Sequence, residues 1–208
     1  ERPVKDLRLA VLTTTVLLDL DDEVAADFEI ALERLQAAGA RVAQLDFPAL
    51  ARQPRLAFGG SIGAYEAFAH HHKMLKLHGK QYDPRVSGRM WLAEAITASD
   101  HASHLEGRGA MMAEFSALMA GFDAMVLPTT PIIPPPLAAL ASDEGYARAN
   151  SLSLRNTSLG NFLDACAISI PMQAEGAAPT GFMLMAEAGR DEVLFQVTRA
   201  VEPVLRGW

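Results

Sequence analysis

Three segments between Phe122 and Asp191 decide how this chain is read: Phe122–Pro136 (FDAMVLPTTPIIPPP), Arg155–Pro171 (RNTSLGNFLDACAISIP) and Pro179–Asp191 (PTGFMLMAEAGRD). Each holds a short apolar run of strand length: Ala124 to Leu127, Cys166 to Ile170 and Gly181 to Met185. Pro, Gly or small polar residues bound these runs, and that punctuation marks buried strands. Open α/β sheets bind ligands beyond the carboxyl ends of such strands. The second and third runs flank a loop of about ten residues rich in Ala, Gly and Pro, which predicts a wide antiparallel hairpin.

Working outward, Leu7 to Leu12 reads as a strand, Asp21 to Ala38 as a helix and Arg41 to Phe47 as a second strand closed by Pro48. Val24, Phe28, Leu32 and Leu35 recur at helical spacing. Asp21 or Asp22 can cap the first turn, and Gly39 can end the helix in a left-handed conformation. Strand, helix and strand within about 40 residues predict a right-handed parallel βαβ unit. The middle is helical and Met-rich: Phe58 to Leu77, Val86 to Thr97 and Ser99 to Ala120. Asp83 initiates a turn there, and Pro84 suits a helix start. Asp191 begins a last helix that Pro203 should kink or end. The fold class expected is α/β, a mixed sheet flanked by helices. Residues 1–208 are expected to form a single partial domain: a βαβ unit to residue 50, a helical insertion over 51–121, and pocket-lining strands plus a final helix over 122–208.

Half of the 208 residues are apolar and 21% are charged, enough to bury a sizeable core. The net charge of −7 argues against nucleic acid or an anionic membrane as a partner, since both reward clusters of Lys and Arg. The single Cys166 excludes an intrachain disulfide, and a reducing cytoplasm is the expected setting. The first residue is Glu1, which suggests a processed, trimmed or incompletely represented protein.

Four groups of residues could carry chemistry. Pro128-Thr129-Thr130-Pro131 follows a strand, so its two hydroxyls stand where a ligand would bind; a rigid connecting loop would look the same. Asn156 and Asn161 offer amides on either side of Gly160, with Phe162 and Leu163 as an apolar wall; the alternative is a helix-and-turn connection with local hydrogen bonds. His70, His71 and His72 point about 100° apart on a helix and cannot share one metal. His101 and His104 share a face, but no further ligand pattern completes a metal site. Ser61, after Gly59-Gly60, is better placed as a helix N-cap than as a nucleophile. No cofactor or metal is expected.

Taken in order, these pieces resemble the amidase signature family of serine hydrolases. The resemblance rests on LRLAVL, AGARVAQLDFP, Tyr65 to Phe68, Tyr82-Asp83-Pro84-Arg85-Val86, Asp123 to Pro131, Asn156 to Ala167, Pro171, Pro179 to Met183 and Asp191. Leu163-Asp164 is similar to the branch with allophanate hydrolases and bacterial amidases. The resemblance implies the C-terminal portion of that fold. The family's Ser nucleophile, its second Ser and its Lys lie upstream of the strand corresponding to Leu7–Leu12, so no catalytic residue is carried onto this chain. Implied partners are an N-terminal catalytic half, a small amide substrate and, across a bared sheet face, a second copy. The rival classes are a separate subunit of a split amidase and a non-catalytic small-molecule-binding module.

Overall fold

The computed structural model describes residues 3–52 and 61–206. Its sheet has five strands: β1 (Arg8–Leu12), β2 (Arg41–Leu45), β3 (Ala124–Pro128), β4 (Cys166–Pro171) and β5 (Gly181–Ala186). They lie in the order β2-β1-β3-β5-β4. β1 runs parallel to β2 and to β3, while β5 is antiparallel to β3 and to β4. The sheet is therefore mixed as expected, with a βαβ unit at one edge and the hairpin at the other.

Every residue of β3 is buried, which explains its unbroken apolar run. Side-chain alternation divides the core into two layers. On one face Leu9, Val11, Val126, Phe182 and Leu184 pack against α1 (Asp22–Ala37) and α7 (Asp191–Arg206). On the other, Leu12, Met125, Leu127, Met183 and Met185 pack against α5 (Ala98–Met119) and α6 (Asp143–Leu163). Val24, Phe28, Ala31 and Leu35 form the buried stripe of α1, and Gly39 turns the chain at φ +96°. After β2 the chain forms α2 (Pro48–Arg52), α3 (Ser61–His78) and α4 (Pro84–Leu92), with α3 packed on α4 and α5.

Four details depart from the sequence reading. Pro48 opens a short helix as well as closing a strand. The helix expected over Val86 to Thr97 starts at Pro84, where the Asp83 carboxylate accepts from the Arg85 amide at 2.7 Å, and stops at Leu92. Pro203 does not end α7, which runs on to Arg206; the proline sits on the exposed side of the final turn, where one missing donor does little harm. The long helix α6 begins at Asp143, capped by the Ser142 hydroxyl accepting from the Gly145 amide. Phe58 to Gly60, expected at the start of α3, lie outside the described residues.

The side of β4 that faces the α5/α6 layer is exposed. It carries the small side chains of Ala167, Ser169 and Pro171.

Candidate functional site

Parallel β1 and β3 bring their C-terminal ends together, and antiparallel β5 starts at the same end. The Thr129 amide donates to the Gly181 carbonyl at 2.7 Å. The hydroxyls of Thr129 and Ser169 lie 2.6 Å apart. A Cβ on Gly181 would sit 2.6 Å from each of those oxygens, so only glycine fits here. Pro128 and Pro131 are buried, while Thr129 and Thr130 are half-exposed. Thr130 turns its hydroxyl back onto the Ile132 carbonyl at 3.0 Å.

Two side chains clamp this loop from opposite faces. Asp21 does not cap its own helix. Its carboxylate accepts from the Ile133 amide at 3.0 Å, and its amide donates to the Pro131 carbonyl at 2.9 Å. From α6, the fully buried Asn156 donates to the carbonyls of Pro128 (2.8 Å) and Val16 (3.1 Å). Arg155 donates to the Asn156 side-chain oxygen at 3.1 Å and to the carbonyls of Val16 and Leu18 at 3.1 and 2.6 Å. The loop leaving β1 holds Thr15 and Asp19 at φ +65° and +48°. Such left-handed non-glycine residues persist only where neighbours over-determine them, and Arg155 and Asn156 supply that constraint. Burial pushes the Arg155 guanidinium below its ordinary pKa, and nearby Asp19 opposes this.

The residues singled out from the sequence divide in two. Pro128 to Pro131 and Asn156 meet at the strand ends. Asn161, Phe162 and Leu163 stand further along α6, beside the opposite end of the sheet where β4 begins. Asn161 borders a shallow hollow with Asp164, Cys166 and Asp191. Leu163 is buried in the core. The carbonyls of Phe162 and Asn161 accept from Arg108 at 2.7 and 3.4 Å. Desolvation, followed by the Asp191 carboxylate, pushes the Cys166 thiol up.

A second feature was not legible in the sequence. A cleft of about 1250 Å³ opens between α4 and the first half of α6. Leu92, Ile96 and Leu154 give it an apolar side, and Arg85, Arg89 and Arg155 line it with Tyr146, Asn150 and Ser151. Its walls come from segments some 60 residues apart, which no local pattern could have joined.

The histidines are dispersed. His71 Nδ1 lies 3.1 Å from the Tyr82 hydroxyl, and His101 stacks on Tyr65 with ring centres 4.2 Å apart. Among the described residues, no three His, Cys, Asp or Glu side chains are grouped as a metal site would need. No described helix is long and apolar enough to cross a membrane.

The profile of the family described as Amidase matches residues 1–195. The chain belongs to the Amidase family. It is 28% identical over 203 residues to a 2-amino-5-chloromuconic acid deaminase of Comamonas testosteroni, covering 97% of this chain and 44% of that protein. It is 25% identical over 193 residues to an amidase of Pseudomonas putida, covering 90% of this chain and 40% of that protein. An allophanate hydrolase structure from Kluyveromyces lactis superposes with a TM-score of 0.83 at 21% identity, covering 97% of this chain and 32% of that one. This last likeness is one of fold. The chain thus spans less than half the length of each of these proteins.

Proposed function

We propose that the whole protein hydrolyses a carboxylic amide by acyl transfer. A Ser hydroxyl from an N-terminal half attacks the amide carbon, and the amine leaves with a proton returned by a base from that same half. Water then cleaves the Ser ester to release the acid. Backbone amides of the N-terminal half would stabilise the oxyanion. The present chain contributes the fixed wall. Pro128 to Pro131 border the acyl pocket, Asn156 and Asp21 hold that loop still, and the small exposed side of β4 receives the N-terminal half. Asn161 and Phe162 serve at the far end of α6, where their carbonyls hold Arg108, and Leu163 packs into the core beside them. A cytoplasmic setting suits the lone thiol.

The observation that carries this reading is the Amidase match over residues 1–195, combined with a strand-end loop clamped from both faces. By it, the 208-residue chain alone hydrolyses no amide. The test is turnover of simple aliphatic and aryl amides by the isolated chain and by the protein of the uninterrupted reading frame, with mass spectrometry for an acyl-Ser adduct. Turnover by the isolated chain that disappears in Ser61→Ala would overturn the division of labour. An upstream coding region lacking a Lys and a Gly-Gly-Ser-Ser-rich segment would favour the non-catalytic binding module.

A further inference from the structure

The cleft between α4 and α6 departs from ordinary helix design in two ways. Arg85 occupies the second position of α4, where the positive end of the helix dipole disfavours a cation. Arg89 follows one turn later, so two like charges share one face of a nine-residue helix, an arrangement that costs stability. Local rules are broken in this way mainly at functional sites. The chain as a whole is acidic at −7, yet three arginines line this one cavity, with the Arg155 guanidinium tied to the Val16 and Leu18 carbonyls.

The charges facing the cleft can be accounted for individually. Asp83 is engaged with the Arg85 amide as the helix cap. Asp143 pairs with Arg85 at 3.0 Å, but its side chain is 92% exposed, so water competes strongly for that pair. Arg85 also lies over the Tyr146 ring, 4.3 Å from its centre, which fixes the plane of the guanidinium. Among the described residues, Arg89 has no acidic side chain within ion-pair distance. Arg155 hydrogen-bonds to three neutral oxygens within 3.1 Å, and Asp19 is the carboxylate near it. Leu92 and Leu154 leave apolar surface beside these cations.

We propose that this cleft binds the carboxylate of an acidic amide substrate, with Arg85 and Arg89 holding the carboxylate and the Leu92–Leu154 side covering its carbon chain. The substrate class is an amide that carries a free carboxylate on a short chain. A planar carboxylate matches the forked donors of a guanidinium, and exchanging the exposed Asp143 for a bound anion costs little. That the bound anion is a substrate rests on the amidase reading; the anion site itself does not.

The test compares succinamate with succinamide, which have the same carbon chain and differ by one charge. Binding to the 208-residue chain is followed by NMR titration. Succinamate should shift resonances of α4 and of the 143–158 half of α6, and succinamide should not. Arg89→Gln and Arg85→Gln should each weaken succinamate binding about tenfold, the loss expected for a charge-assisted hydrogen bond. Asp143→Asn should tighten it by freeing Arg85. Arg148→Gln, on the same helix but outside the cleft, should change nothing. Equal binding of both compounds, or equal weakening by Arg148→Gln and Arg89→Gln, would overturn the site. The two readings fail separately. If the intact protein hydrolyses neither compound while the chain binds succinamate through Arg89, the amidase reading falls and the anion site stands. If it hydrolyses both with the same kcat/KM, the anion site falls and the amidase reading stands.

Discussion

Asn156 should prove the most sensitive polar residue of the strand-end loop. Its side chain is fully buried and makes three hydrogen bonds: to Pro128, to Val16 and from Arg155. In Asn156→Ala the Val16 carbonyl keeps its bond from Arg155, but the Pro128 carbonyl loses its donor from α6, and an Arg155 donor loses its acceptor. A buried polar group left unpaired costs about 1–3 kcal/mol. Two such groups, the second only partly buried, give a loss of about 3 kcal/mol. For a domain of this size that corresponds to a fall in Tm of about 6–12 °C. Thermal unfolding followed by circular dichroism measures it. Asn156→Asp preserves the side-chain volume and the acceptor for Arg155 but turns an oxygen toward two carbonyls, so it isolates hydrogen bonding from packing. If both variants unfold within about 0.5 kcal/mol of the parent, the range of ordinary surface changes, then Asn156 does not hold the loop and the reasoning fails.

Three further outcomes follow from the same geometry. Gly181→Ala should destabilise by about 1–3 kcal/mol through overpacking against Thr129 and Ser169, with Ser169→Ala recovering part of the loss; an unchanged urea midpoint would refute the close approach. Cys166 has a raised pKa, so at pH 8 it holds less thiolate than an unperturbed thiol and should alkylate more slowly than the same residue in the urea-unfolded chain. The rate should climb as pH rises and should increase in Asp191→Asn, and equal folded and unfolded rates would contradict this. Asp21→Ala and Asn156→Ala clamp the same loop from opposite faces, so a double-mutant cycle in thermal stability should give a coupling of about 0.5 kcal/mol or more; strict additivity would mean two independent loops.

The sheet was legible because its strands are short, apolar and bounded by turn residues. β3 is buried at every position, and its four apolar residues Ala124 to Leu127 run straight into Pro-Thr-Thr-Pro, the mark of a buried strand. The first half of α6 was not legible. Gly145, Asn150, Ser151 and Ser153 are weak helix formers, and the buried positions of α6 are Asn156, Leu159, Gly160 and Leu163, all in its second half. Its early turns face the Arg-lined cleft, so the apolar period that announces a helix is missing there. Asp21 misled for a related reason. An Asp before a helix reads as a cap, yet its carboxylate is drawn to an unpaired amide 112 residues away. Pro128 to Pro131 and Asn156 stand out in the sequence as two separate segments, and their meeting across 28 residues is set by the packing of α6, which no local pattern shows. Arg155, adjacent to Asn156, is the residue that reading passed over.

The arrangement of clamps bears on what the strand-end loop can do. Asp21 belongs to the start of α1, and α1 is packed in the Leu9–Phe182–Leu184 layer. Asn156 belongs to α6, packed in the Leu12–Leu127–Met185 layer. The Pro128–Ile133 segment is thus referenced to both cores, and its position shifts only if one layer moves against the other. Close-packed interiors resist such movement. The two prolines fix φ at two of the loop positions, which lowers the entropy lost when the loop is ordered. A loop held in this way is poorly suited to closing over a ligand and well suited to serving as a fixed wall for one. The pairing of Arg85 with a 92% exposed Asp143, by contrast, is a contact that exchanges readily. Rigidity at the strand ends and exchangeable charge in the α4–α6 cleft are the two properties that the proposed binding of a short acidic amide would draw on.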